Sequence, residues 1–222
     1  MAKTLSGVIL LAAATAAVLL MPRRSEAAET PGEFYEDPPL LSPDEPVFDE
    51  SESLQMSPEL RAFLFMIRSA EHLRGDALSG AAYQTFYGGA RFSNLNDHPV
   101  LTGERVGVPL SDSMCRNAGL GPGCVSTAAG AYQIIRPTWS RVRQAGAWGA
   151  YLPDFSPASQ DEAARRLLIE CGALPLIDAG DIVGAVKRAG RLWASLPGSS
   201  AKQNPKTIDQ ALALYSEGLV TG

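Results

Sequence analysis

One glutamate is predicted to lie on the side of a helix that faces the protein interior. Glu71 follows Leu60 by eleven residues, about three helical turns, on one apolar stripe. The stripe consists of Leu60, Phe63, Leu64 and Ile67. A lone carboxylate there costs free energy unless it is paired or used. Burial and the negative end of the helix dipole would both raise its pKa, and a carboxyl protonated near neutral pH suits a general acid for a glycosidic oxygen. The alternative is an ion pair with Arg68, Arg74 or His72.

A second candidate segment covers residues 126–134, with the sequence Ser-Thr-Ala-Ala-Gly-Ala-Tyr-Gln-Ile. Its small residues would let the backbone and a bound sugar approach closely. Ser126, Tyr132 and Gln133 supply hydroxyl and amide groups for hydrogen bonds to that sugar. The alternative interpretation is a helix start with packed small residues.

The metal-binding residue types do not form a known pattern. The chain has only two histidines, His72 and His98, and no Cys-x-x-Cys or His-x-x-x-His spacing. We therefore expect no metal site and no cofactor.

The charge of the chain is divided between two parts. Nine carboxylates and no Lys or Arg fall between Glu29 and Glu52, whereas residues 60–222 carry sixteen basic and thirteen acidic side chains. The acidic, proline-rich residues 28–56 are typical of an extended flexible linker. Ser57-Pro58-Glu59 is a helix start, so we predict one catalytic domain over residues 57–222. We expect no nucleic-acid partner and a monomer.

The first residues predict export. Lys3 precedes an uncharged, Ala- and Leu-rich run over residues 5–21, and Ser25-Glu26-Ala27 is a plausible cleavage site. Residues 1–27 are therefore either a cleaved signal peptide or an N-terminal anchor, with residues 5–21 as an inner-membrane tether. In both cases we expect the domain in the periplasm or cell envelope.

The cysteines agree with an oxidising compartment. Cys115 and Cys124 flank a glycine- and proline-rich turn that would bring them together as a disulfide; two unpaired thiols are the alternative. Cys171 lies in an apolar helical stretch and is predicted to be a buried small side chain.

The elements that must position these residues form an α+β domain that is mostly α. We predict helices from Ser57 to Leu73, over residues 131–145 with a break at Pro137, and over residues 156–171. Two more are predicted over residues 181–194 and from Asn204 or Thr207 to Glu217. Residues 83–92 predict irregular chain with a short strand or hairpin, and turns dominate residues 92–124. At least two of the three tryptophans (Trp139, Trp148, Trp193) are expected in the core.

Several segments, in order, resemble the lambda-type phage endolysins, a lysozyme-like family of lytic transglycosylases. The similarity covers the helix that ends at Glu71, the glycine-containing residues 83–92, and the small-residue segment with its Tyr-Gln pair. Residues 97–99, 155–161, 172–178 and 193–198 continue it, and Trp-Ala-Ser-Leu-Pro-Gly at residues 193–198 is among its most specific pieces.

The resemblance implies a lysozyme-like fold of several short helices with a small β-hairpin lobe. It also implies cleavage of the β-1,4 bond between N-acetylmuramic acid and N-acetylglucosamine in peptidoglycan glycan strands. Glu71 would be the single acid and base, and the products would be 1,6-anhydro sugars. Ser126, Tyr132 and Gln133 would bind sugar and help to position Glu71.

Two other functions stay open. A hydrolytic lysozyme would use a second carboxylate across the cleft, for which Asp97 is the candidate. A binding module would hold peptidoglycan without cutting it. The chain departs from the family pattern at His72 and Leu73, where the family has a small residue and Thr. It departs again at the Cys115–Cys124 loop, and after Gly198, where the family's aromatic is missing.

Overall fold

The computed structural model of the chain describes residues 56–199 and 205–221. The predicted signal or anchor, and the predicted linker up to residue 55, lie outside these residues. Met56, the last residue of the predicted linker, packs into the core, where it is 8% exposed. Its carbonyl accepts a 2.5 Å hydrogen bond from Arg61 Nη1, which ties the start of the domain to the first helix.

Helix α1 (Pro58–Glu71) begins where the sequence predicts. The Ser57 hydroxyl caps it by accepting a hydrogen bond from the Leu60 amide at 3.1 Å, and Pro58 occupies the first turn. The helix ends two residues earlier than predicted, because His72 adopts an extended conformation. Glu71 is therefore the last helical residue, at the negative end of the helix dipole.

The last helix, α8 (Ile208–Thr221), packs along α1. It begins directly after Thr207, one of the two predicted starts, and continues past the predicted end at Glu217. A Cβ at Gly218 would lie only 2.8 Å from the Ala62 carbonyl oxygen, so glycine permits the close approach of the two helices. Phe63 and Tyr215 meet edge to face beside this contact, with ring centroids 6.4 Å apart.

Three other helices were predicted. Helix α5 (Pro157–Glu170) is confirmed, with Ser156 as its cap. Helix α7 (Ile182–Ala189) is capped by Asp181 as predicted but ends well before residue 194. Helix α4 (Arg136–Val142) replaces the predicted helix over residues 131–145. The expected break becomes the helix start, because Pro137 lies in the first turn of α4 and has no amide hydrogen to donate.

The remaining helices are short and were not predicted: α2 (Arg74–Ser79), α3 (Asp112–Asn117) and α6 (Leu174–Asp178). Residues 83–92 are irregular chain, as predicted, and the predicted short strand or hairpin is reduced to one antiparallel bridge. Two 3-10 helices, Ala81–Gln84 and Tyr87–Gly89, border an isolated bridge between Thr85 and Arg91.

A small lobe carries the sheet of the described chain. Strand β1 (Val108–Pro109) pairs antiparallel with β2 (Val125–Ser126), with Val108 opposite Ser126. A disulfide joins Cys115 in α3 to Cys124, with Cα atoms 5.8 Å apart. The predicted disulfide is thus confirmed, as is the α+β, mostly helical fold class.

One apolar core underlies the helices. Trp139 and Trp193 are buried in it, as predicted for at least two tryptophans, whereas Trp148 is only partly buried. The Trp139 ring meets Phe155 edge to face at 4.7 Å. Cys171 is a free, half-buried thiol, less enclosed than predicted. Over residues 56–199 and 205–221, no helix is long and apolar enough to cross a membrane.

Candidate active site

Glu71 is buried at the end of α1, as its place on the apolar stripe predicts. It is 9% exposed. The Ser195 hydroxyl donates a hydrogen bond to Glu71 Oε1. None of the three predicted ion-pair partners pairs with it: Arg74 pairs with Glu217, Arg68 donates to Tyr83, and His72 contacts backbone carbonyls.

Burial raises the pKa of the Glu71 carboxyl to about 7. The Ser195 hydroxyl, the positive charge of Lys206 and a backbone hydrogen bond at Ser195 act in the opposite direction and hold the pKa down. Near neutral pH the carboxyl is therefore present in both protonation states. A single group of this kind can give a proton in one step and take one in the next.

Ser195 is a functional candidate that the sequence reasoning missed. It lies after α7, in a segment that folds back on itself. Gly190 passes so close to the Pro197 carbonyl there that a Cβ at residue 190 would collide with it. Trp193 anchors the same segment by donating from Nε1 to the Tyr132 carbonyl at 3.0 Å. The signal available in the sequence was the similarity of residues 193–198 to the endolysins, but nothing local pointed to a contact with Glu71.

Lys206 approaches the site through the same segment. Its backbone amide donates to the Ser195 carbonyl at 2.9 Å. Ser195 therefore makes two contacts at the site. Its hydroxyl binds the Glu71 carboxyl, and its carbonyl binds the backbone of Lys206, whose charge acts on Glu71.

His72, directly after Glu71, links the end of α1 to the small-residue segment. Its Nε2 lies 3.1 Å from the carbonyl oxygens of both Gly130 and Ala131. Both partners are acceptors, so Nε2 carries the proton and donates. The residue that departs from the family pattern thus supplies a tertiary contact beside the carboxyl.

The small-residue segment forms a tight turn rather than a helix start. Residue Ala129 bridges to Phe86 on one side and to Ile134 on the other. Gly130 has a φ of +75°, and a Cβ there would collide with the Gln160 side chain, whose Oε1 accepts from the Ala131 amide at 2.9 Å. The glycine is required both by its left-handed conformation and by this close packing.

Comparison with known proteins agrees with this architecture. The family model described as Endolysin matches residues 61–220. The endolysin of Escherichia phage lambda is 34% identical over 167 residues, which is 74% of this chain and 93% of that protein. The chain belongs to the endolysin family. The endolysin of Escherichia phage P2 is 36% identical over 124 residues, covering 56% of this chain and 67% of that protein.

Solved structures show the same relationship for this endolysin-family chain. A lysozyme of bacteriophage lambda in complex with a chitohexasaccharide matches with a TM-score of 0.57 and 33% identity, over 74% of this chain and 96% of that chain. A second structure of lysozyme from bacteriophage lambda matches with a TM-score of 0.54 and 30% identity, over 76% and 96%. The fold of the endolysin-family chain is therefore lysozyme-like.

Two of the three predicted sugar-binding residues point into the protein. Tyr132 is 1% exposed and its hydroxyl donates to Asp161 Oδ1 at 2.6 Å. Ser126 is 3% exposed and its hydroxyl accepts from the Ala128 amide at 3.3 Å. In this structure both hydroxyls have internal hydrogen-bond partners and hold the segment that His72 contacts, so their sugar-binding role stays a prediction.

Gln133 also serves the architecture of that segment. It is 7% exposed, and its Nε2 donates to the carbonyls of Thr85 and Gly130 at 3.2 and 3.0 Å. Its backbone has a φ of +47°, in the left-handed region that non-glycine residues rarely adopt. The amide bonds therefore support a turn that the backbone alone disfavours, and Oε1 is the part of the side chain left for a ligand.

Asp97 has three internal hydrogen-bond partners. Oδ1 accepts from Trp139 Nε1 and from the His98 amide, each at 2.7 Å, and Oδ2 pairs with Arg143 Nη1 at 2.5 Å. Arg143 is itself 8% exposed at the side chain. This carboxylate ties the turn of residues 97–99 to α4.

No group of three or more His, Cys, Asp or Glu side chains is arranged to hold a metal ion within the described part of the chain. The two histidines are engaged elsewhere: His98 is buried with Nε2 3.1 Å from the Ile134 carbonyl oxygen, and burial lowers its pKa to about 4.

Proposed function

We propose that this endolysin-family chain, which degrades peptidoglycan as a lysozyme-like enzyme, is a lytic transglycosylase with Glu71 as its single acid and base. The observation that carries the proposal is the buried Glu71 carboxyl, whose pKa is raised to about 7 by burial. It stands at the end of α1 with one hydroxyl donor, Ser195, on Oε1.

The proposed reaction has two proton transfers at one carboxyl. Protonated Glu71 first gives its proton to the glycosidic oxygen, and the bond between that oxygen and C1 of the muramic acid breaks. The resulting carboxylate then takes the proton of the sugar's own 6-hydroxyl while that oxygen bonds to C1. A 1,6-anhydro ring closes, no water is consumed, and Glu71 is protonated again.

The pKa of Glu71 fits this double role. A group with a pKa near the working pH is both an adequate acid and an adequate base. The hydroxyl of Ser195 and the charge of Lys206 favour the carboxylate form, which is the form needed to accept the second proton. Burial favours the acid form needed for the first.

The contacts of Asp97 favour the single-carboxylate mechanism over a hydrolytic lysozyme. A second catalytic carboxylate must be free to activate water or to bond C1. Asp97 instead accepts hydrogen bonds on both oxygens and pairs with Arg143.

The proposed substrate is the glycan strand of peptidoglycan, and the proposed location is outside the cytoplasm. The complex of the lambda phage lysozyme with a chitohexasaccharide supports a polymeric amino-sugar ligand. The Cys115–Cys124 disulfide supports an oxidising compartment. We propose that residues 1–27 direct export, as a cleaved signal or as a tether through residues 5–21, and that the enzyme acts as a monomer in the periplasm or cell envelope.

Mass spectrometry of digested peptidoglycan tests the proposed chemistry. We expect fragments that end in 1,6-anhydro sugars, with no ¹⁸O incorporated from labelled water. Reducing ends that carry ¹⁸O would replace the proposal with hydrolysis.

A zymogram with matched variants tests Glu71 itself. Glu71→Gln should fail to clear peptidoglycan, while Glu217→Gln, which removes a surface carboxylate paired with Arg74, should clear like wild type. Asp97→Asn should retain anhydro products even where it lowers stability. Clearing by Glu71→Gln would remove Glu71 from the chemistry, and absence of clearing by the wild type would favour a binding module.

A further inference from the structure

A cavity of about 430 Å³ lies beside α1, one helical turn before Glu71. Its volume falls within the range of about 300–1,000 Å³ typical of small-ligand sites. Its charged lining residues are Arg68 and Asp161, of opposite sign, and Arg61, whose Nη1 donates to the Met56 carbonyl; apolar walls complete it. The lining residues that matter here are Leu64, Phe65, Arg68, Leu78, Tyr83 and Asp161.

The basic group of the cavity is held rigidly. Arg68 donates from Nε to the Ala77 carbonyl at 3.1 Å and from Nη1 to the Tyr83 hydroxyl at 2.9 Å. Its guanidinium carbon lies 5.5 Å from the Phe65 ring centroid and 5.4 Å from that of Tyr83. A guanidinium carries five N–H donors, more than these two bonds use.

The acidic group of the cavity has one oxygen to offer. The hydroxyls of Tyr83 and Tyr132 both donate to Asp161 Oδ1, at 2.7 and 2.6 Å. Among the described residues no hydrogen bond reaches Oδ2. Burial raises the pKa of the Asp161 carboxyl although two hydroxyls and Arg68 oppose the rise, so a ligand cation would relieve an existing cost.

The pairing of charges selects the ligand. An anion that approached Arg68 would be repelled by Asp161, and a cation that approached Asp161 would be repelled by Arg68. A small ligand that carries both an ammonium and a carboxylate satisfies both groups, and the apolar walls accept a small aliphatic side chain.

We infer that this cavity binds a short zwitterionic peptide, with a carboxylate on Arg68 and an ammonium on Asp161. Peptidoglycan carries short peptides that are bound to its glycan strands through their N-termini. Their diamino-acid side chains supply ammonium groups and their C-termini supply carboxylates, so the source we assign is the peptide of the substrate. That assignment of source rests on the proposed function. The cavity would then bind the peptide while Glu71 acts on the neighbouring sugar chain.

Calorimetric titration with small peptides tests the site directly. L-alanyl-L-alanine and its D,D enantiomer serve as probes, beside N-acetylated and C-amidated forms that each lack one charge. At least one unblocked dipeptide should bind, and blocking either terminus should weaken binding ten-fold or more. Equal binding of blocked and unblocked peptides, or no saturable binding of either enantiomer, would overturn the site.

Matched variants separate the cavity from the surface. Arg68→Met should lose dipeptide binding, whereas Arg74→Met, an exposed arginine paired with Glu217, should keep it. Leu78→Trp fills the cavity from a half-exposed position and removes no hydrogen bond, so it should also lose binding if Arg68→Met fails to fold. Wild-type affinity in Leu78→Trp would contradict the inference.

The same peptides distinguish this inference from the proposed chemistry. Glu71→Gln should bind dipeptide with wild-type affinity while it fails to clear peptidoglycan, so either property can fail without the other. Glu71→Gln should also sediment with intact peptidoglycan more than with glycan strands stripped of peptide by an amidase, and dipeptide should reduce the difference. Equal sedimentation would overturn the substrate peptide as the source.

Discussion

The Ser195 hydroxyl donates a hydrogen bond to Glu71 Oε1 across 124 positions of sequence. The contact joins the end of the first helix to the segment that follows α7. That segment is fixed by Trp193 and by the close passage of Gly190 past Pro197, so the donor has little freedom to move. The carboxyl that we propose as catalytic is therefore oriented by a rigid neighbour.

Removal of this donor should shift the pH profile of the reaction. The Ser195 hydrogen bond lowers the pKa of Glu71, so Ser195→Ala should raise it further. Cleavage requires protonated Glu71, so the activity of the wild type should fall as pH rises through about 7. The activity of Ser195→Ala should fall at a higher pH. Rates on labelled peptidoglycan between pH 4 and 9 measure the shift.

The control for Ser195 keeps the hydroxyl. Ser195→Thr should hold the pH profile near that of wild type even where the added methyl group lowers the rate. An unchanged profile in Ser195→Ala would show that the hydroxyl does not act on the carboxyl.

The free energy of unfolding should decrease as pH rises because Glu71 is buried. Its folded pKa of about 7 lies above its ordinary value of 4.5, so the folded state binds this proton more tightly than the unfolded state. The stability that the protonated form contributes is full below pH 4.5 and is lost as pH rises through 7, with a loss of about 3 kcal/mol. The free energy of unfolding of Glu71→Gln, taken relative to that of wild type, should therefore be higher at pH 8 than at pH 4. Urea unfolding at both values measures this, and an equal difference at both would contradict the raised pKa.

His72 should contribute to the rate through the position of the Gly130 turn. His72→Ala removes a donor to two carbonyls, and we expect a lower kcat with a smaller change in KM. His72→Gln retains an N–H donor and should restore part of kcat. Steady-state kinetics on soluble glycan fragments, together with melting temperatures, separate this role from a loss of fold: equal kcat in the Ala and Gln variants would show that the hydrogen bond is unimportant.

The disulfide should stabilise the small lobe without entering the chemistry. Closure of its short loop contributes about 3 kcal/mol in the chain-entropy account. The double variant Cys115→Ser, Cys124→Ser should melt at a lower temperature and still yield 1,6-anhydro products at low temperature. Scanning calorimetry with and without reductant checks the first point; a reductant effect on the double variant would indicate another target such as Cys171.

Local signals in the sequence predicted much of the helical frame. The Ser57 and Ser156 caps and their following prolines placed α1 and α5, because capping and proline geometry depend on a few adjacent residues. The sequence predicts a break at Pro137 inside a helix, whereas in the structure Pro137 lies in the first turn of α4. The short helices α2, α3 and α6 carry too few residues for a periodic pattern, so they were missed.

The site was predicted only in part. The apolar stripe was enough to predict burial and a raised pKa for Glu71, because both follow from one face of one helix. The residue types of Tyr132, Ser126 and Asp97 suggested polar contacts to substrate, but the fold assigns their polar atoms to internal partners.

The sequence by itself determined which carboxyl would be buried, which cysteines would pair and which family the chain resembles, since each depends on local spacing or collinear motifs. Only the tertiary structure decided that Ser195 and Lys206 act on Glu71, that His72 holds the Gly130 turn, and that Arg68 and Asp161 share a cavity. These contacts join residues from 58 to 135 positions apart. Their geometry follows from how helices pack, which no local pattern specifies.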